Sequence, residues 1–305
     1  MTQKHVWIDS DLSVGMEREN RPGYADVDDG YAILQLFKAE NVKIHGISAV
    51  FGNTSIKNAF PLCQKMANDF ADGKIPVYKG AGEKIELGEV KTNEAVEALA
   101  EALKIQKLTI MAIGPATNVG LLLLTYPELS SQIEEVVLVA GRRKPTDNFA
   151  IGNKGRNAGD ANFDMDVESF RLMFQHQVSV VLCPFEISSK VWIKKADLDE
   201  QAAGDAGNKW LAEESKNWLN QWKDQGADGF NPFDVLASHY IINPDDIISE
   251  KLNARIEIHP NDTVKDENNF KDYLLCDKNQ GYPVRYCYDV VNGYHEKLMK
   301  SLKNQ

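Results

Sequence analysis

Cysteine is scarce in this chain. Cys63, Cys183, Cys276 and Cys287 stand far apart among 305 residues, with no C-x-x-C pair and no Cys/His spacing suited to zinc. That scarcity argues against a disulfide scaffold and for reduced, largely buried thiols. Basic residues are also in deficit, with 34 Lys and Arg against 45 Asp and Glu and a formal charge of −11. Nucleic-acid binders concentrate positive charge on one face, so no nucleic-acid partner is expected; a cation or a neutral polar ligand suits the excess acid better. No run of 18 or more apolar residues occurs, and the opening MTQKHVWIDSDL runs into strand-like sequence without the charged start and apolar stretch of a secretory leader. A soluble cytoplasmic protein with no membrane partner is the expectation. Repeats, low-complexity tracts and linkers rich in Pro, Gly or Ser are absent too, so one domain spanning 1–305 is expected.

What is present is a strong alternation. With 43% hydrophobic residues the chain can bury a sizeable core. Apolar runs of strand length at 5–9, 42–52, 108–114, 134–141 and 178–184 alternate with helical periods at 29–39, 55–72, 91–105, 116–125 and 166–175. This is the pattern of an α/β fold, a doubly wound, mostly parallel sheet with helices on both faces. Beyond about residue 190 the spacing predicts helices at 195–203, 209–225 and 233–241, strands near 252–259 and 284–288, and a final helix over 289–303. Ligands of such sheets bind at the carboxyl ends of the strands. Asp9 and Asp11, Gly52 and Asn53, Ile113, Arg142 and Arg143, and Glu186 all fall there.

The segment Ile8 to Leu34, IDSDLSVGMERENRPGYADVDDGYAIL, sets Asp9 and Asp11 at one lip of a polar loop and Asp28 and Asp29 at the other. Carboxylates drawn together must take up protons or share a cation. A hard cation with oxygen ligands fits, and the absence of nearby His or Cys in sequence weakens zinc. Asp26 reads as an ordinary capping or first-turn acid.

These residues resemble the nucleoside hydrolase family, Ca²⁺-dependent N-ribohydrolases whose first strand leads into D-x-D-P-G-x-D-D and an apolar helix. SAVFGNTS (48–55), MAIGPATNVGLLL (111–123), VVLVAGRR (136–143), ANFDMDVES (161–169) and NPFDVLASHYIINPD (231–245) are similar to further family segments in the same order. The resemblance implies an N-glycosyl hydrolase of the same fold, acting on a nucleoside-like or other ribosyl small molecule. It implies Ca²⁺ held by the carboxylates of Asp11, Asp29 and Asp234 and the carbonyl of Ile113. It implies Asp28 and Asn53 as ribose-binding residues, Asn162 and Asp164 as substrate-binding residues at the other end of the sugar, Asp9 as structural support, and a homo-oligomer, dimer or tetramer. Asp11, facing both metal and water, is the expected general base.

Three features depart from that pattern. Sixteen residues, Leu12 to Val27, stand where the family has three, either a solvated loop or a lid. Phe233 precedes Asp234 where relatives often carry His or Trp to assist the leaving base, and His239 is expected to point away from the site. Asn162-Phe163-Asp164 exchanges the carboxylate and amide of the family's E-F-N, and Arg142, Arg143 and Arg156 nearby are candidates for an anionic substituent. Trp210, Trp218 and Trp222 read as one packed helix face. Two competing readings are a Ca²⁺-dependent sugar or nucleoside binder without turnover, and a haloacid-dehalogenase-type phosphatase using Asp9-Ser-Asp11-Leu-Ser13.

Overall fold

Strand β1 (Lys4–Ser10) is buried over its last five residues and alternates its apolar side chains between two layers. Val6 and Ile8 enter one core and Trp7 the other, as the two-residue period of a strand requires when helices cover both faces. The structure is a computed structural model and describes residues 3–147, 149–152, 156–266 and 268–303, without the side chains of residues 151 and 156.

The strands that follow are β2 (Val42–Ala49), β3 (Val77–Lys79), β4 (Leu108–Ala112), β5 (Ile133–Leu138), β6 (Phe149–Ile151), β7 (Arg156–Ala158), β8 (Val180–Leu182), β9 (Ile247–Pro260), β10 (Phe270–Asp277) and β11 (Tyr282–Val290). The helices are α1 (Asp28–Phe37), α2 (Ile56–Phe70), α3 (Glu94–Ile105), α4 (Thr117–Thr125), α5 (Ala161–Met165), α6 (Val167–Gln175), α7 (Phe185–Ser188), α8 (Lys195–Gln201), α9 (Ala206–Asp224), α10 (Val235–Ile242) and α11 (Tyr294–Ser301). One nine-stranded sheet runs in the order β10-β9-β11-β8-β5-β4-β1-β2-β3, and β6 and β7 form a separate hairpin. The pairs from β3 through β8 to β11 are parallel, whereas β11 with β9 and β9 with β10 are antiparallel.

The α/β class and the mostly parallel sheet agree with the alternation in the sequence. Helices α1, α2, α9 and α10 cover one face, and α3, α4 and α6 cover the other. The expected helix over 289–303 is a shorter Tyr294–Ser301, because residues up to Val290 extend β11. The chain leaves β1 toward β2 and β3 on one side and returns to place β4 on the other. The carboxyl ends of β1 and β4 therefore flank the switch in strand order, where Asp9, Asp11 and Ile113 lie.

Candidate active site

Asp9 is fixed below the site rather than presented to it. Ser48 donates to its Oδ1, Asn118 donates to the same oxygen at 2.8 Å, and burial pushes its carboxyl up to about 6. Asn118 also accepts from the backbone N–H of Ala81 and from the Asn93 side chain, so it ties β1 to the loops after β3 and before α3. A buried carboxylate held this way is a poor phosphoryl acceptor, which removes the geometric basis of the phosphatase reading.

Asp11 occupies a slot that only glycines leave open. A Cβ on Gly52 would sit 1.9 Å from its Oδ2, and one on Gly114 would sit 2.9 Å from its Cβ. The backbone N–H of Asn53 donates to Oδ2 at 2.7 Å, and the Asn53 amide lies 3.5 Å from Oδ1. Asp29, in the first turn of α1, accepts from Ser10 Oγ, and Asp28 Oδ2 accepts from the backbone N–H of Asp234 at 3.1 Å. That last bond joins the start of α1 to the start of α10 across 206 residues of sequence.

Burial pushes the carboxyls of Asp11, Asp28, Asp29 and Asp234 well above the usual carboxylate range, and each is raised further by neighbouring aspartates. Asp26 shares this field. Burial holds it at about 6 against the pull of Arg18, and its charge acts on Asp11, Asp28, Asp29 and Asp234. It is not the capping acid expected from sequence, because Val27 takes the position before α1 and Ser13 bonds the Asp26 carboxylate instead. Three oxygens, Asp9 Oδ2, Asp28 Oδ1 and Asp29 Oδ2, are buried without a hydrogen-bond partner. An unpaired buried carboxylate oxygen is costly, and a shared cation removes the cost. Among the described residues no group of three or more His, Cys, Asp or Glu side chains is arranged so that it could hold a metal ion. The donor set is nonetheless all oxygen. The nearby Cys63 thiol is pushed well up by burial and by Asp29, Asp9 and Asp11, which disfavours its thiolate as a ligand.

Asn162 donates to the carbonyls of Ile113 (3.0 Å) and Val139 (3.2 Å), joining the ends of β4 and β5. Asp164 pairs with Lys271 of β10 at 2.8 Å. The two arginines that follow β5 are committed. Arg142 is buried and pairs with Asp262 at 2.7 Å, while Arg143 pairs with Glu186 at 2.7 Å and Glu250 at 2.9 Å. Neither stands free for an anionic substituent, and the side chain of Arg156 lies outside the described residues. His239 is buried on α10, bonded to Gln35 and Asp246, as its distance from Asp234 in sequence leads one to expect.

The sixteen-residue insertion is a clamped hairpin. Glu17 and Tyr24 bridge antiparallel, and Arg18 donates to the Tyr24 carbonyl. Glu19 accepts from the backbone N–H (3.0 Å) and hydroxyl (3.1 Å) of Ser55 and from Asn58 (3.0 Å) at the start of α2. On the other side, the Tyr24 N–H donates to Gln221 of α9 at 2.8 Å. Gly15, with φ of +66°, lies so close to α9 that a Cβ would meet the Glu214 carbonyl at 2.2 Å. Glu19→Ala is expected to free the tip and to raise limited proteolysis within residues 17–24 several-fold at unchanged global stability; unchanged cleavage would show that the Gln221 side alone holds the hairpin.

A profile of the family described as "Inosine-uridine preferring nucleoside hydrolase" matches residues 6–292. The chain is 24% identical to a "Probable uridine nucleosidase 1" of Oryza sativa subsp. japonica, over 76% of this chain and 78% of that protein. It is 31% identical to a "Pyrimidine-specific ribonucleoside hydrolase RihA" of Salmonella typhimurium, over 51% of this chain and 49% of that one. Among solved structures, a "Plant nucleoside hydrolase - PpNRh1 enzyme" superposes with a TM-score of 0.78 at 17% identity, covering 98% of each chain. A "Purine-Preferring Ribonucleoside Hydrolase from Gardnerella vaginalis" superposes with a TM-score of 0.77 at 17% identity, again over 98% of each. With the family profile spanning nearly the whole chain, this protein belongs to the inosine-uridine preferring nucleoside hydrolases, enzymes that hydrolyse the N-glycosidic bond of ribonucleosides.

Proposed function

We propose that the chain is a Ca²⁺-dependent ribonucleoside hydrolase in which Asp11 takes the proton of the attacking water. The observation that carries this is the nest of buried carboxyls of Asp11, Asp28, Asp29 and Asp234, raised by burial and by neighbouring aspartates, in which Asp28 Oδ1 and Asp29 Oδ2 have no hydrogen-bond partner. Asp11, Asp29 and Asp234 would hold the ion with the Ile113 carbonyl, a mixed oxygen set of the kind Ca²⁺ accepts. When bound, Ca²⁺ lowers the pKa of water and offsets the repulsion among the carboxylates.

The chain's own residues do the rest. The Asn53 N–H orients the Asp11 carboxylate through its bond to Oδ2, leaving Oδ1 to accept a proton. Asp28 and Asn53 bind ribose hydroxyls, Asn162 and Asp164 take the far end of the sugar, and Asp9 braces β1 from beneath. As the C1′–N bond breaks, positive charge grows on the sugar ring, and the nest of carboxylates stabilises it where water is excluded. The same reading makes the protein one domain over 1–305 and a cytoplasmic homo-oligomer, supported by family resemblance and by four cysteines that are all free.

Release of ribose and free base from inosine, adenosine, uridine and cytidine tests this. Release from at least one of them is expected. Nucleoside binding without release from any would favour a binding protein instead.

A further inference from the structure

The inserted hairpin grips the turn that carries Asn53 from two sides. On one side, Glu19 accepts from the backbone N–H and hydroxyl of Ser55 and from Asn58. On the other, Asp26, the last acid of the insertion, accepts from the side-chain amide of Asn53 itself. The opposite arm of the hairpin holds Asp26 for that contact. The Asp26 carbonyl accepts from the Gly15 N–H at 2.9 Å and from Ser13 Oγ at 3.3 Å, and the adjacent Ala25 N–H donates to the Met16 carbonyl at 2.9 Å. The Arg18 guanidinium offsets the Asp26 charge. Val14, in the same arm, has φ of +41°, a conformation that a β-branched residue keeps only where its surroundings impose it. The arm is thus built to one shape, and that shape delivers the Asp26 carboxylate to Asn53.

Asn53 therefore stands between two acids. Its amide nitrogen lies 3.5 Å from Asp11 Oδ1 and also donates to Asp26. A primary amide has two N–H donors and one carbonyl acceptor. With the donors drawn to two carboxylates, the carbonyl oxygen is left over, and repulsion from both acids turns it away from them. The backbone of the residue is fixed too, because its N–H donates to Asp11 Oδ2 at 2.7 Å. Asp28 Oδ1, buried without a partner, is likewise an acceptor. A hydroxyl that meets these two oxygens meets them as the donor.

We infer that Asp26 is a positioning residue of this hydrolase: it orients the Asn53 amide so that its carbonyl oxygen accepts from a ribose hydroxyl, and the inserted hairpin is the element that sets this orientation. This rests on the reading of Asn53 as a ribose-binding residue given above. Asp26 acts through Asn53 and touches neither the attacking water nor the scissile bond. Without Asp26 the amide has one acid to face instead of two, across the longer of its contacts, and it turns freely about its last side-chain bond. The orientation that accepts the hydroxyl must then be selected at each binding event, a cost that falls on KM more than on kcat.

A double-mutant cycle on the full-length protein at saturating Ca²⁺, with uridine and inosine as substrates, tests this. Asp26→Ala is expected to lower kcat/KM by about 10-fold, chiefly through KM. In an Asn53→Ala background the same substitution is expected to change kcat/KM by less than about 2-fold, because the amide through which Asp26 acts is gone. Asp26→Asn keeps the side chain's size and a carbonyl acceptor, and is expected to lose only about 3-fold, again only where Asn53 is present. Melting temperatures check that the variants fold, and Asp26→Asn carries the cycle should Asp26→Ala not fold. Losses that multiply in the double variant, or a kcat/KM untouched by substitution at Asp26, overturn the inference and leave the hydrolase standing. An Asn53→Ala variant with full kcat/KM removes Asn53 from the ribose, and the inference with it. No release from either nucleoside by the unaltered enzyme overturns the reading of the site on which the inference rests.

Discussion

Asp11→Asn is expected to lower kcat by about 10³-fold or more while the fold is retained, because the amide keeps an acceptor for the Asn53 N–H but cannot take a proton. Stopped or continuous measurement of ribose release gives the rate, and a circular dichroism spectrum checks the fold. Normal turnover in the variant would remove Asp11 as the base. The substitution has a second expected effect, on stability. Burial and neighbouring charge raise the Asp11 carboxyl, so the folded chain binds that proton more tightly than the unfolded chain does. Such a group stabilises fully below its ordinary value near 3.8, and its contribution is lost as pH rises through the folded value. Asp9 and Asp26, both pushed up to about 6, place much of this loss between those two values. The metal-free protein is therefore expected to melt at a higher temperature on the acid side of neutrality, and Asp11→Asn to flatten that dependence.

The second large effect is on ion binding. Asp234→Ala is expected to weaken Ca²⁺ by about 100-fold or more, since loss of partners that merely orient metal ligands already costs about 10–100-fold. Asp234 reaches the nest through its position at the start of α10, where its backbone N–H is bonded to Asp28. A calcium titration by calorimetry reads the change directly. An affinity equal to that of the unaltered protein would discard Asp234 as a ligand, whatever the variant's turnover.

Much of this site was legible in the sequence because its acids cluster within motifs. Asp9, Asp11, Asp28 and Asp29 share one segment, and the apolar alternation placed that segment at a strand end. What stayed hidden depends on partners remote in the chain. Asn118 and Ser48 are separated from Asp9 by 109 and 39 positions, and nothing in their local sequence tells that they brace it. Asp26 misled because an acid just before a helix reads as a cap, whereas here the helix starts two residues later and the Asp26 carboxylate belongs to the shared field.

The missed strands have different reasons. β3 is only three residues long, too short to show a period. β10 lies at the sheet edge, where its outer residues Phe270, Lys271 and Asp272 are at least partly exposed and blur the apolar signal. The insertion gave no hint of order, because its anchors are a carboxylate on the start of α2 and a glutamine on α9, neither of which has a sequence signature.

The most direct test of the central claim is the rate of ribose release as free Ca²⁺ is varied with a chelator, alongside the number of ions bound per chain. The expected result is release that vanishes on chelation, returns on adding Ca²⁺, and saturates in step with one tightly bound ion. Release that continues undiminished in chelator, with no Ca²⁺ bound, would contradict the assignment of Asp11, Asp29, Asp234 and the Ile113 carbonyl as the centre of the reaction.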